Sequence, residues 1–229
     1  MIFVGLDERL RHVRAEIARR QQAGGWPHPV TVLAVTKGFG ADAVKAALDA
    51  GLKDVGENRV QEAIEKMEHP ETRGAVWHLI GHLQRNKAKL VPGKFASVQS
   101  VDSAELAEEL DRRAAAVGVR LTVLMQVNVA GEAQKSGCDP AEVPALARRI
   151  AKLEGLALEG MMTIAPLTDD EAIQRRTFRG LRELRDRLKE DGIWLQTLSM
   201  GMSGDFATAV EEGATVIRLG TALFGARTT

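Results

Sequence analysis

Lys37 ends the apolar run VTVLAVTK, Val30–Lys37, and a primary amine at the end of a buried strand is a group that can condense with an aldehyde. Loss of hydration disfavours its ammonium form and leaves a nucleophile. Far downstream, LSMGMSGD (Leu198–Asp205) and VIRLGTALFGAR (Val216–Arg227) put Ser203-Gly204 and Gly220-Thr221 directly after two further apolar runs. Glycine admits close backbone approach, amides at a helix start point at an anion, and the Ser and Thr hydroxyls each add a donor. An amine for a carbonyl and amides for a phosphate describe a site for a phosphorylated aldehyde. Singly, each feature has a plainer reading. Lys37 alone is a surface lysine opening a loop, the glycines are tight turns, and Ser203 is the cap of the helix entering DFATAVEEG. Arg218 lies two residues before Gly220, so strand alternation sends both to one side of their strand. Inward, the guanidinium must meet an anion or a strong acceptor; outward, it makes a surface salt bridge.

These groups converge only if the chain builds a frame that brings distant strand ends together. Short β-branched or apolar runs recur at VTVLAV (30–35), DVG (54–56), VWHLI (76–80), FASVQ (95–99), LTVLMQVNV (121–129), LALEGM (156–161), WLQTLS (194–199) and TVIRLG (215–220). Helical patterns lie between them, such as ADAVKAALDAG, SAELAEELDRRAAAVG, PAEVPALARRIAKLEG and the stretch 169–191. Eight alternations predict an α/β fold, a single (β/α)8 TIM barrel. A doubly wound open sheet is the rival. Leu6, Leu10, Val13 and Ile17, spaced 3.6 residues apart among charges, predict an extra N-terminal helix before the first strand. In such a barrel the site sits at the C-terminal ends of the strands, with phosphate commonly held after strands 7 and 8.

Composition agrees with one unit over residues 1–229. The chain is 45% hydrophobic and 27% charged, with 31 basic and 31 acidic residues, so no net field draws it to nucleic acid or to an anionic membrane. One cysteine, Cys138, excludes an internal disulfide, and MIFVGLDERLRHVR meets charge too early for a signal peptide or membrane span. A cytoplasmic protein is expected.

The motifs AVTKGFG, VGENRVQE, WHLIGHLQRNK, VQSVDS, VNVAGEAQKSGCDP, GMMTIAP, LSMGMSGD and VIRLGTALFGAR, in this order from Leu33 to Arg227, closely resemble the pyridoxal phosphate homeostasis proteins. That family's barrel is similar to the N-terminal domain of alanine racemase. The resemblance implies pyridoxal 5'-phosphate (PLP) as cofactor, held as a Schiff base on Lys37. It implies phosphate contacts from Ser203, Gly204, Gly220 and Thr221, Arg218 facing the pyridine nitrogen, and Asn58 and Met200 as further pocket lining. It also implies buffering or delivery of PLP, with PLP-dependent apo-enzymes as recipients and an influence on amino- and keto-acid balance. Two positions depart from the family pattern: Gly38-Phe39-Gly40 replaces a Thr-Lys-Pro-like stretch, and His82 stands where many relatives carry proline.

The residues also bear on catalysis. Alanine racemases use a tyrosine from a second domain as the opposing acid–base group, whereas these 229 residues contain no tyrosine and run only about ten residues past the last strand. An arginine at the pyridine nitrogen, always protonated, weakens the ring as an electron sink. A carrier without efficient turnover is therefore expected, and a monomer. The alternatives are a PLP-dependent racemase-like enzyme and a Schiff-base aldolase acting on a sugar phosphate.

Other constellations are weaker. His78 and His82 have helical zinc-ligand spacing but fall on a strand, where residues four apart lie about 13 Å from each other, so no metal is expected. The run Gln84–Lys89 is expected to be a solvated helix face, Cys138 a bystander thiol, and Glu132–Lys135 a rim ion pair.

Overall fold

The computed structural model describes residues 3–132 and 134–226. Arg227, which ends the last motif, and Ala133, inside VNVAGEAQKSGCDP, lie outside the described residues. Eight parallel strands close in sequence order: β1 (Thr31–Val35), β2 (Asp54–Glu57), β3 (Val76–Leu79), β4 (Ser97–Val101), β5 (Leu121–Gln126), β6 (Leu156–Met162), β7 (Thr197–Ser199) and β8 (Val216–Leu219). β1 closes against β8, with Leu33 opposite Arg218. The expected barrel is therefore present, and the open sheet is excluded because both of its edges are paired.

Among the described residues, eight α-helices accompany the strands: α1 (Leu6–Gly24), α2 (Ala41–Asp49), α3 (Val60–Met67), α4 (Ala104–Ala116), α5 (Val143–Ile150), α6 (Glu171–Glu190), α7 (Phe206–Glu211) and α8 (Thr221–Phe224). α1 is the expected N-terminal helix, and Leu6, Leu10, Val13 and Ile17 are its buried face. Ser103 caps α4 by accepting from Leu106 N, and Asp170 caps α6 by accepting from Ala172 N at 2.8 Å. The segment after β3 departs from the pattern: Arg85–Leu90 is a 3₁₀ turn rather than an α-helix.

Most apolar side chains fill the layer between the barrel and its helices, while Leu33, Val35 and Ile80 form a small cluster inside the lumen. Three strands differ from the apolar runs that announced them. FASVQ gives a strand starting only at Ser97, with Phe95 buried ahead of it. In WLQTLS only Thr197–Ser199 joins the sheet; Trp194 lies outside, 69% exposed, with Lys189 Nζ 4.6 Å from its ring centre. LTVLMQVNV leaves the barrel after Gln126 because its end pairs with its own loop: Asn128 N donates to Cys138 O and Cys138 N to Gln126 O. Gly137 permits that return at φ +125°, since a Cβ there would stand 2.7 Å from Asn128 N.

At the opposite end of the barrel from the C-terminal mouth, His78 bonds Ser97 Oγ at 2.7 Å and Asp54 Oδ1 at 2.9 Å, tying β2, β3 and β4 together. Among the described residues, no group of His, Cys, Asp and Glu has metal-holding geometry.

Candidate functional site

The C-terminal mouth of the barrel opens into a cavity of about 420 Å³. Seven of the eight residues singled out from the sequence line it: Lys37, Asn58, Ser203, Gly204, Arg218, Gly220 and Thr221. Met200 does not. It follows Ser199, which faces the lumen, so alternation turns Met200 outward, where it is wholly buried in the layer under the helices. Met202, two residues on, lines the cavity instead.

Lys37 follows β1 on a tightly held loop. Thr36 N donates to Gly56 O, Phe39 N returns to Thr36 O, and Gly38 takes φ +73°, a conformation that favours glycine. Phe39 packs against Phe3 and Phe224, with ring centres 5.6 and 5.5 Å away. The Gly38-Phe39-Gly40 stretch is thus anchored through Phe39 in an aromatic cluster. Asn58 sits at the end of β2 beneath Gly81, where a Cβ would come within 2.4 Å of Asn58 O. That glycine is required by the close crossing of the two loops.

Arg218 points inward and is 4% exposed. It donates to Ser199 Oγ at 2.8 Å and to Thr163 O at 2.8 Å, and Ser199 Oγ donates onward to Gln99 Oε1 at 2.6 Å. Burial lowers the guanidinium to about 10, partly offset by the charge of Asp205, so it remains a cation at neutral pH. The inward reading of Arg218 holds because lumenal acceptors are in place to meet it.

The loops after β7 and β8 are joined by Ser203 Oγ, which accepts from Gly220 N at 3.3 Å and Ala222 N at 3.0 Å. Ser203 therefore caps α8, not the helix entering DFATAVEEG, whose approach is held instead by Asp205 Oδ1 accepting from Met202 N. Packing does not require the two site glycines. A Cβ on Gly204 would meet nothing within 4 Å, and one on Gly220 only Val35 at ordinary contact distance. The space those missing side chains leave belongs to the cavity, and a phosphate needs that open approach to backbone amides.

Further residues besides those seven line the cavity or its walls. Gln126 Nε2 donates to Ser136 O, and Asn128 Nδ2 to Glu132 O. Lys135 pairs with Glu132, as their spacing suggested, but it also reaches into the cavity wall and donates to Ala165 O at 3.0 Å. His82 lines the mouth, half exposed, with Nδ1 3.9 Å from Asp102 Oδ2. Cys138 is buried and its thiol is pushed up to about 12, chiefly by burial, which suits an inert thiol.

Residues 9–228 match the family model for the alanine racemase N-terminal domain. A pyridoxal phosphate homeostasis protein of Pseudomonas aeruginosa is 45% identical over 97% of this chain and 96% of its own. This chain belongs to the pyridoxal phosphate homeostasis protein family. A second member of the family, from Aquifex aeolicus, is 40% identical over 96% of this chain and 97% of its own. PipY of Synechococcus elongatus, whose structure was determined with PLP bound, is 38% identical with a TM-score of 0.85, covering 96% of this chain and all of that one. Alanine racemase of Clostridium difficile shares the fold at 18% identity and a TM-score of 0.77. This chain covers 61% of that racemase chain.

Proposed function

We propose that this protein binds PLP as a Schiff base on Lys37 and serves intracellular PLP homeostasis, buffering or delivering the cofactor without efficient catalysis of its own. The observation that carries this reading is the convergence of Lys37, Arg218, Ser203-Gly204 and Gly220-Thr221 on one cavity. In it, the Lys37 amine attacks the aldehyde carbon, a C=N bond replaces C=O, and the oxygen leaves as water. Ser203, Gly204, Gly220 and Thr221 hold the phosphate, and Asn58 lines the ring's side of the pocket. Arg218 offers donors and no acceptor, so facing the ring nitrogen it keeps that nitrogen unprotonated and disfavours carbanion chemistry. Residues 1–229 act as one PLP-binding domain and pass the cofactor to PLP-dependent apo-enzymes.

Absorbance tests the binding and proton exchange tests the chemistry. Protein incubated with PLP should show a visible band that Lys37→Ala abolishes, while amino acids in deuterated water keep their α-protons. A band surviving in Lys37→Ala would refute the attachment point. Rapid α-deuteration would restore the racemase-like alternative, and a colourless protein that binds sugar phosphates would favour the aldolase.

A further inference from the structure

The backbone on either side of Lys37 is held from behind the barrel wall by an ion cluster that is no part of the cavity. Gly56 faces the lumen, where a Cβ would strike Leu33, so the next residue, Glu57, points outward into the layer under α3, with no exposure. There Lys66 Nζ donates to Glu57 Oε1 at 2.6 Å, to Glu62 Oε1 at 3.0 Å and to Thr36 O at 2.9 Å. Thr36 Oγ1 donates to the same Glu57 oxygen at 2.6 Å, and Gly38 N donates to Glu62 Oε1 at 2.8 Å. The residue before Lys37 and the residue after it are therefore both tied to one set of charges.

Stability does not explain this arrangement. Glu57 Oε2 is buried with no hydrogen-bond partner, and burial raises the Glu57 carboxyl despite the opposing pull of Lys66 and Thr36. Replacing a buried ion pair with apolar groups of similar volume is often neutral or stabilising. A costly pair kept at this place calls for a role beyond holding the fold.

We propose that Glu57, Lys66 and Glu62 are positioning residues for Lys37, fixing the backbone on both sides of it so that its amine enters the cavity oriented for covalent attachment. The inference rests on the PLP reading above, and the experiment separates the two. Two ligands are compared: PLP, and 4-deoxypyridoxine 5'-phosphate, in which a methyl group replaces the aldehyde so that no bond to lysine can form. The variants are Glu57→Met with Lys66→Met, which removes the buried charges together, and Glu62→Ala, which removes only the half-exposed tether to Gly38. The readouts are the borohydride-trapped fraction on Lys37, the dissociation constant of the deoxy analogue, and the thermal midpoint.

The double variant should keep its midpoint and bind the analogue within about twofold of the parent, yet its covalent attachment should fall about tenfold or more, as misplacing a reacting group does. Glu62→Ala should show the same split, more weakly. Unchanged attachment in both variants overturns the positioning role. So does a parallel fall of attachment, analogue binding and midpoint, which marks the cluster as structural only. If the parent protein itself forms no adduct on Lys37 while binding the analogue, the proposed PLP attachment fails, and the inference with it.

Discussion

Glu57 and Glu212 are both carboxylates with almost no solvent exposure, yet their surroundings drive them in opposite directions. Glu212, at the end of α7, is met by three arginines of α6: Arg175 at 3.0 Å, Arg179 at 3.0 Å and Arg182 at 2.8 Å. Burial pushes its carboxyl up, but the hydrogen bonds from those arginines outweigh burial and hold it below the ordinary value of 4.5. Glu57 is enclosed more deeply and is met by one lysine and one hydroxyl, and burial wins. Depth and the number of charged donors together decide whether a buried carboxylate supports the fold. The outer cluster therefore binds α1, α6 and α7 together, with Arg20 of α1 reaching neighbouring Glu211 at 2.7 Å, whereas the inner one is understood by what it positions.

Breaking one partner of each cluster should expose the contrast. Lys66→Met leaves Glu57 buried and unpaired and should cost about 3 to 5 kcal/mol at pH 7 by urea denaturation. A raised folded pKa means the penalty applies above that value, so it should shrink as pH falls towards 4.5 and Glu57 takes up a proton. Glu212→Ala should cost about 2 kcal/mol, the scale of hydrogen bonds to charged groups. Its folded pKa is depressed, so its contribution is present above 4.5 and is lost only as pH falls through the lower folded value. Two stability gaps narrowing over the same pH range would defeat the distinction.

The glycines give a smaller version of the same contrast between fold and site. Gly160→Ala puts a Cβ 2.1 Å from Thr197 O and should destabilise by upwards of about 1 kcal/mol. Gly204→Ala meets only open space, so thermal melting should leave the fold unchanged while PLP affinity drops. Least affected should be Lys45→Ala, which removes an exposed pair with Asp49 on α2; no shift in melting midpoint is expected.

The sequence disclosed the barrel because β-branched runs alternate with helical periodicity, and it disclosed seven cavity residues because strand ends in a barrel share one mouth. It offered Met200 only through the family resemblance; alternation past Ser199, which ends β7 and faces the lumen, turns Met200 outward. The inner cluster was hidden for a different reason. Glu57 and Lys66 lie nine residues apart across a strand, a loop and a helix, and no local spacing rule pairs such positions. Only Glu62–Lys66, at i,i+4 on α3, could be read from spacing, and by itself it resembles any exposed helix pair. Lys135 read only as half of a rim pair because no local spacing rule shows that it also reaches Ala165 O at the cavity wall.

The central claim is that Lys37 is the covalent anchor. Reduction of the PLP-treated protein with borohydride, followed by peptide mass mapping, tests it directly. The account predicts a single phosphopyridoxyl adduct on the peptide containing Lys37; an adduct confined to Lys135 or Lys66, or none at all, would contradict it.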